Sequence, residues 1–288
     1  MWVRRLFRHV LTLLLTALLG GLLGAALVRM APGFGANERE LDPRLNSASI
    51  QALRRAHADE RNILRYYAAY LSGVMRGDLG VSRSLGRPVR DLFAERIPVT
   101  LRWVTLGLLG GWLLALALAV PGALWRGWAY DLFTTLVSGL FLCLPSAVLA
   151  LLLLYLSGPG PMAIMLVVFP VIFRYFRNLL LQTYELPHVL TAKAKGLRGV
   201  RIFFWHVLPA AGPSLLALVG VSVSMAFGAA VPVEVIVDSP GIGQLAWQAA
   251  LGRDLPLLVN ITLLVTLITL VVNSVADLAA KTLTRQPA

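Results

Sequence analysis

Six apolar runs, each close to the length of a membrane-crossing helix, dominate this chain and confine it to a bundle embedded in lipid. They fall at about Val10–Val28, Val99–Leu124, Leu132–Leu156, Met162–Leu181, Gly212–Val231 and Leu257–Ala280. A hydrocarbon core about 30 Å thick takes roughly 20 apolar residues per helical span. The composition agrees: 58% of the 288 residues are hydrophobic and 14% charged, against about 45–50% and about 25% in a soluble domain. The expected fold is therefore all-α, a polytopic membrane helical bundle with six transmembrane helices. The fourth run is the weakest. Its strong apolarity ends near Phe173, Arg174 and Arg177 follow, and Pro170 offers a place for a kink, so its second half is expected to be amphipathic and exposed.

Charge excludes one class of partner and orients the spans. The net charge of +12 does not indicate nucleic acid, because the charges lie between hydrophobic runs and do not form a polar basic domain. Cys143 is the single cysteine and sits in an apolar run. It is expected to be a buried thiol, and it rules out both a disulfide framework and a multi-cysteine metal site. The first run follows Arg4, Arg5 and Arg8. It is longer than the 7–15 or so apolar residues of a signal peptide and lacks a clear cleavage site before Arg29, so it is expected to be a retained anchor. With the amino end inside, the cytoplasmic segments carry Arg126, Lys193, Lys195, Arg198, Arg201, Lys281 and Arg285, while the short outside loops carry Arg253. The arginine-rich stretch from Arg29 to Pro98 would vote the other way, but loops beyond roughly 60 residues translocate largely regardless of charge.

The expected organisation is a cytoplasmic amino-terminal segment at 1–9, a first span at 10–28, an extracytoplasmic helical insert at 29–98 and a transmembrane core at 99–288, with both ends cytoplasmic. In the insert, Ile63, Tyr67, Tyr70, Leu71 and Val74 recur at helical spacing. That pattern fits a solvated segment with one packed face, or a docking platform for a partner.

The core carries a cytoplasmic hairpin at about 185–208. Pro187 suits a first helical turn, Val189 to Lys195 propagate a short helix, and Gly196 can take the left-handed conformation that ends it. Lys193 and Lys195 complement the helix's negative end. A tip at Leu197-Arg198-Gly199 leads to a second helix from about Val200 to Leu208, with Pro209 marking entry into the fifth span. Ala192 and Gly196 are four residues apart and are expected to share a face that another protein can approach closely. Physical chemistry alone leaves two readings open: a docking hairpin, or an ordinary positive-inside loop.

The stretch Thr191-Ala192-Lys193-Ala194-Lys195-Gly196-Leu197, with His206-Val207-Leu208-Pro209 after it, resembles the cytoplasmic "EAA" signature of ABC-importer permeases. More narrowly, it is similar to the dipeptide, oligopeptide and nickel permease subunits. Met30-Ala31-Pro32-Gly33, Arg76-Gly77-Asp78-Leu79-Gly80, Gly86-Arg87-Pro88-Val89, Ile97-Pro98-Val99-Thr100-Leu101, Val233-Glu234-Val235 and Ser239-Pro240-Gly241-Ile242-Gly243 agree with that group in order. Leu190 replaces the signature's acidic residue and His206 its isoleucine, as in the peptide subgroup. The Asn37–Ile50 stretch is longer than usual and the Ser157–Pro161 turn shorter.

The resemblance implies a type I importer fold in which two related permease subunits line the pathway and the chain itself is not catalytic. It also implies two cytoplasmic ATPase subunits that hold ATP and magnesium, and an extracytoplasmic solute-binding protein. This sequence has no G-x-x-x-x-G-K-[S/T] loop to hold phosphates. The substrate stays open among dipeptides, oligopeptides, nickel chelates and other small solutes.

Glu234 and Asp238 are placed just past the fifth span, ahead of the sharp turn at Pro240, Gly241 and Gly243, and form a candidate outer gate. The blander reading is a solvated interface, or a pair with Arg253. Asn273 and Asp277 share a face of the sixth span, where polar groups usually point into the bundle; Asp277 also suits an ion pair with Lys281. The four histidines, His9, His57, His188 and His206, all lie outside the apolar runs, which argues against an intramembrane hydrolase or a metal site. A secondary transporter or channel and a peptide exporter of related architecture are the alternatives. Intramembrane charges of the kind carriers use are scarce.

Overall fold

The computed structural model describes residues 76–125 and 127–283, with residues 15, 18–23, 26, 67 and 70–74 before them. The expected first span at Val10–Val28, most of the insert and the Asn37–Ile50 stretch therefore fall largely outside the described residues. Among those described, every regular element is helical: α1 Val89–Trp125, α2 Trp128–Cys143, α3 Ser146–Tyr155, α4 Gly160–Tyr184, α5 Pro187–Ala194, α6 Gly199–Ile202, α7 Leu208–Ile236, α8 Ile242–Leu251 and α9 Leu255–Leu283. A π-helical turn, Phe203–Val207, joins α6 to α7.

Four stretches among the described residues are long and apolar enough to cross a membrane: Val89–Leu124, Gly160–Tyr184, Gly199–Ile236 and Leu255–Thr282. The expected third span is not a straight helix. It breaks at Leu144-Pro145 into α2 and α3, which bend by 98° and count as a fifth span only if taken together. Proline supplies no N–H and pushes the residue before it out of the helical region; Leu144 accordingly sits at φ −88°, ψ 123°. Cys143, at the end of α2, is exposed and not buried as expected.

The helices also outrun the apolar runs. The second begins at Val89 and continues through Pro98, so the expected boundary there lies inside α1. The fifth reaches back through Pro209 to the hairpin. Leu208 donates its N–H to the Phe203 carbonyl, five residues earlier. This wider turn lies over the position where the Pro209 ring would meet a carbonyl four residues back, so the helix continues through the proline.

The described residues form two compact units. One comprises Ile97–Gln244 with Thr269 onward, the other the residues up to Arg96 with Leu245–Ile268. In the first, α4 is central and packs against α2, α3 and α7, burying Ile164, Val168, Phe169, Ile172, Phe173, Phe176 and Leu180. The second half of α4 is amphipathic, as its sequence implies. Phe176 and Leu180 face inward, whereas Arg174 is exposed, and Arg177 donates to Asp131 in the first turn of α2 at 2.6 Å. Asn273 donates to Ser224 on α7 at 3.2 Å, while Asp277 is exposed.

Gly107 and Gly111 bring α1 against α4. A Cβ built on Gly107 would lie 2.7 Å from the Ile164 side chain, and one on Gly111 would lie 2.6 Å from that of Val168. Small residues four apart let two membrane helices approach closely, where dispersion contacts replace the missing hydrophobic drive. Gly107→Leu is expected to cost about 1–3 kcal/mol by overpacking. Thermal unfolding of the purified chain in detergent checks this, and a midpoint equal to the parent's would refute the close packing.

In the second unit, Tyr67, Leu255 and Val259 form a buried cluster with Leu22, Tyr70, Leu71 and Leu263 around it. The helical spacing of Tyr67, Tyr70 and Leu71 thus marks a packed face. Asp254 is fully buried at the start of α9. One carboxylate oxygen accepts from Ser82 Oγ at 2.6 Å and from Ser84 N–H and Oγ, each at 2.9 Å. The other oxygen accepts the Leu257 N–H at 3.1 Å, which makes Asp254 the N-cap of α9. Asn260 ties the next turn down, donating to the Leu79 carbonyl at 2.9 Å and accepting from Tyr70 Oη at 2.7 Å.

Candidate functional site

The hairpin grows directly from α4. After Tyr184, Leu186 turns extended and Pro187 opens α5. Val189 and Ala192 face inward and are buried, whereas Leu190, Thr191, Lys193, Ala194 and Lys195 are exposed. The helix then stops in a Schellman arrangement. Gly196 takes φ +76°, its N–H donates to Lys193 O at 2.9 Å, and the Leu197 N–H donates to Ala192 O at 3.4 Å. The left-handed glycine is where the sequence places it.

The shared face is not. Ala192 is 4% exposed and is spent on the hairpin's own core, while Gly196 is exposed. The reason is local: the helix ends at Ala194, its C-cap Lys195 sits at ψ 2°, and the Gly196 N–H bonds to Lys193 and not to Ala192, so Gly196 lies past the register that would align the two. The exposed residues are instead Leu190, Thr191, Lys193, Ala194, Lys195 and Gly196, distributed around the rest of the short helix. Lys193 Nζ lies 5.0 Å above the Tyr184 ring, which steadies its stem against the base of α4. On the return arm Ile202, Phe203 and Val207 are buried, His206 is half-buried and Pro209 exposed.

The second cluster is the turn after α7. Glu234 lies inside this helix, not past its end, and is fully buried. Its Oε2 accepts the Gly243 N–H at 2.6 Å and the Gln244 N–H at 3.4 Å, both in the first turn of α8. A carboxylate there satisfies donors that a helix start leaves open and complements its positive end. Gly241 is required by close approach, because a side chain on it would overlap the Glu234 carboxylate. Asp238, at φ +53°, is exposed and accepts from Gln244 Nε2 at 2.5 Å; Pro240 is exposed, while Gly241 and Gly243 are buried. Thr100 Oγ1 accepts the Ile242 N–H at 2.7 Å. Three motif stretches separated in sequence, around Thr100, Glu234 and Gly241, therefore meet in one turn. Glu234 serves to anchor that turn, and Asp238 is its solvent-facing carboxylate.

Residues 107–286 match the family described as the binding-protein-dependent transport system inner membrane component. The chain belongs to this family. The matched region contains both the hairpin and the turn after α7, and membership makes this a multi-pass inner-membrane protein of a transport system. Curated relatives agree over most of the chain. The oligopeptide transport system permease protein OppB of Salmonella typhimurium is 30% identical over 263 residues, covering 83% of this chain and 84% of the relative. A putative peptide permease protein of Brucella suis biovar 1 is 27% identical over 264 residues, covering 82% and 83%. The dipeptide transport system permease protein DppB of Lactococcus lactis subsp. cremoris is 24% identical over 295 residues, covering 96% of each.

Sequence reasoning missed Thr100 as a partner of the turn, and Asp254 and Asn260 as organisers of the second unit. Thr100 carried a signal, since it lies in one of the family-like stretches. Asp254 carried a weaker one, an acidic residue immediately before an apolar helical run.

Proposed function

We propose that this family member is one of two membrane-spanning subunits of an ATP-driven importer that moves peptides or similarly small solutes, nickel chelates included. The observation that carries the proposal is the hairpin. Its short, firmly terminated helix presents Thr191, Lys193, Lys195 and Gly196 outward, while Val189 and Ala192 lock it to the base of α4 and the return arm. A push on the hairpin passes into α4 and α7, two packed elements of the bundle's core, and a packed bundle responds by switching arrangement as a body. The names of the relatives, which include peptide, oligopeptide and dipeptide permeases, support the substrate class.

In this reading a groove of a cytoplasmic ATPase subunit receives the hairpin, with ATP and magnesium held on that partner. A second, related permease subunit completes the pathway. An extracytoplasmic solute-binding protein delivers cargo on the side of the insert at 29–98, with both chain ends cytoplasmic. Thr191 to Leu197, with His206 and Pro209 on the return arm, form the coupling element. Asp238, Pro240, Gly241 and Gly243, supported by Glu234, shape the outer gate.

Reconstitution tests it. In liposomes, a labelled dipeptide or oligopeptide series is expected to accumulate only when the chain is combined with its genomic ATPase and permease neighbours and supplied with ATP. An ATPase subunit is expected to remain bound through purification in mild detergent. Transport by this chain alone, with no ATPase present, would replace the proposal with an autonomous carrier.

A further inference from the structure

An ion pair fixes the depth at which α2 breaks into α3. Asp131, in the first turn of α2, accepts from Arg177 Nε at 2.6 Å. Arg177 lies seven residues before Tyr184, where α4 hands the chain to the hairpin, so α2 starts at the hairpin's end of α4 and packs along it. Cys143 is 12 residues beyond Asp131, about 18 Å at 1.5 Å per residue. Gly160, the first residue of α4, is 17 residues from Arg177, about 26 Å. Charged groups keep to the edge of a hydrocarbon core about 30 Å thick. The break at Leu144-Pro145 therefore falls well inside that core, and α3, turned by 98°, has only about 8 Å left to climb before α4 begins.

The backbone is open at this depth. No side chain caps α3, and the N–H groups of Ser146 and Ala147 meet no acceptor among the described residues. The Leu142 and Cys143 carbonyls receive no N–H there either. The chain leaves the break uncovered, since Leu142 and Val148 are each 45% exposed and Cys143 and Pro145 are exposed. Lipid cannot satisfy such groups, so irregular backbone at membrane depth is covered by protein or faces water. The face of α2 that leads to the break decides between them. Phe133, Leu136 and Leu140 lie exposed on it, a poor wall for water. Thr135, Gly139 and Cys143 recur beside them at every fourth residue, and a Cβ on Gly139 would meet nothing within 4 Å. Small residues at that spacing let a second membrane helix come close.

We infer that the exposed face of α2 and the break after it dock a transmembrane helix of the second permease subunit, one that carries a hydrogen-bond acceptor near mid-membrane. This rests on the importer reading. In that reading the ATPase and the solute-binding protein stand outside the lipid, and only the second permease reaches this depth. The chain's own first apolar run is already engaged: the Leu18 carbonyl accepts from Tyr67 Oη at 2.8 Å, and a Cβ on Gly21 would lie 2.7 Å from the Leu263 side chain.

The test uses the assembled importer in membranes, with a diazirine amino acid encoded in place of Leu142. Illumination is expected to give a covalent adduct with the second permease subunit. Gly139→Leu adds bulk where the chain itself has open space, so the chain alone is expected to keep its unfolding midpoint. The second permease is expected to be held about tenfold less tightly, the order of one overpacked contact. Cys143, the single cysteine, reports on water, because a charged methanethiosulfonate attacks the thiolate; no reaction is expected in the assembled importer. Rapid reaction there would make the break a wall of the aqueous pathway. Adducts to lipid or to the chain's own first run alone, or full retention of the partner in Gly139→Leu, would leave no partner on this face. Each of these overturns the interface and leaves the importer reading standing. A parent chain that retains no second membrane subunit would sink the importer reading first, and the interface with it.

Discussion

Gly196→Asp is expected to abolish ATP-dependent uptake while leaving the chain folded. A Cβ at Gly196 would meet nothing within 4 Å, so the intramolecular cost is confined to the left-handed backbone at φ +76°. That cost is about 1 kcal/mol, and aspartate tolerates the region better than most residues. Any larger effect must come from what lies against Gly196 in the assembled transporter, where a charged side chain would stand between the hairpin and its partner. Gly196→Ala carries a similar backbone cost without the charge and is expected to keep partial activity. Loss of charge at Lys193 or Lys195 should matter less, because an exposed ion pair contributes only about 0–1 kcal/mol. Uptake, retention of the ATPase and unfolding midpoint are read together on each variant. Parental transport in Gly196→Asp would return the hairpin to an ordinary basic loop. Loss of transport with a collapse in stability would place the effect in the fold.

The second large effect is expected at Glu234. Replacing it with alanine would strip the Gly243 and Gln244 N–H groups of a buried acceptor, at about 1–3 kcal/mol for each group left unsatisfied. A total near 3 kcal/mol corresponds to a fall of roughly 6–12 °C in the unfolding midpoint. Glu234→Gln keeps an acceptor oxygen and should retain most of the stability. Gly241→Val drives a side chain into the space the carboxylate occupies, so it should lower stability by a comparable amount and impair uptake without releasing the ATPase. The decisive measurement is the double-mutant cycle. Gly241→Ala should cost less in the Glu234→Ala background than alone, because the methyl then enters vacated space. Strict additivity of the two substitutions would show that Glu234 and Gly241 do not share this packing.

The chain's apolar runs determined the fold class, because a long helix is the local answer to a backbone surrounded by lipid. The hairpin was also legible, since Pro187 and Gly196 act on φ at their own positions and need no distant partner. So was the packed face of Tyr67, Tyr70 and Leu71, which helical periodicity alone sets out. Where the helices begin and end was less legible. Apolarity runs unbroken across Leu144-Pro145 while the helix bends by 98°, and a proline at 209 that reads as a boundary is carried through by a wider turn.

The roles of the carboxylates were decided only by tertiary structure. Glu234 reads from sequence as a group beyond the membrane helix, yet it is buried because α8 turns back and places two N–H donors on it. The Thr100 hydroxyl accepts the Ile242 N–H across 142 residues, and Asp254 accepts from Ser82 and Ser84 across 172 and 170 residues. Hydropathy and spacing report a residue's own environment preference. Which donor a buried carboxylate meets depends on how distant segments pack, and that appears only when the chain has folded.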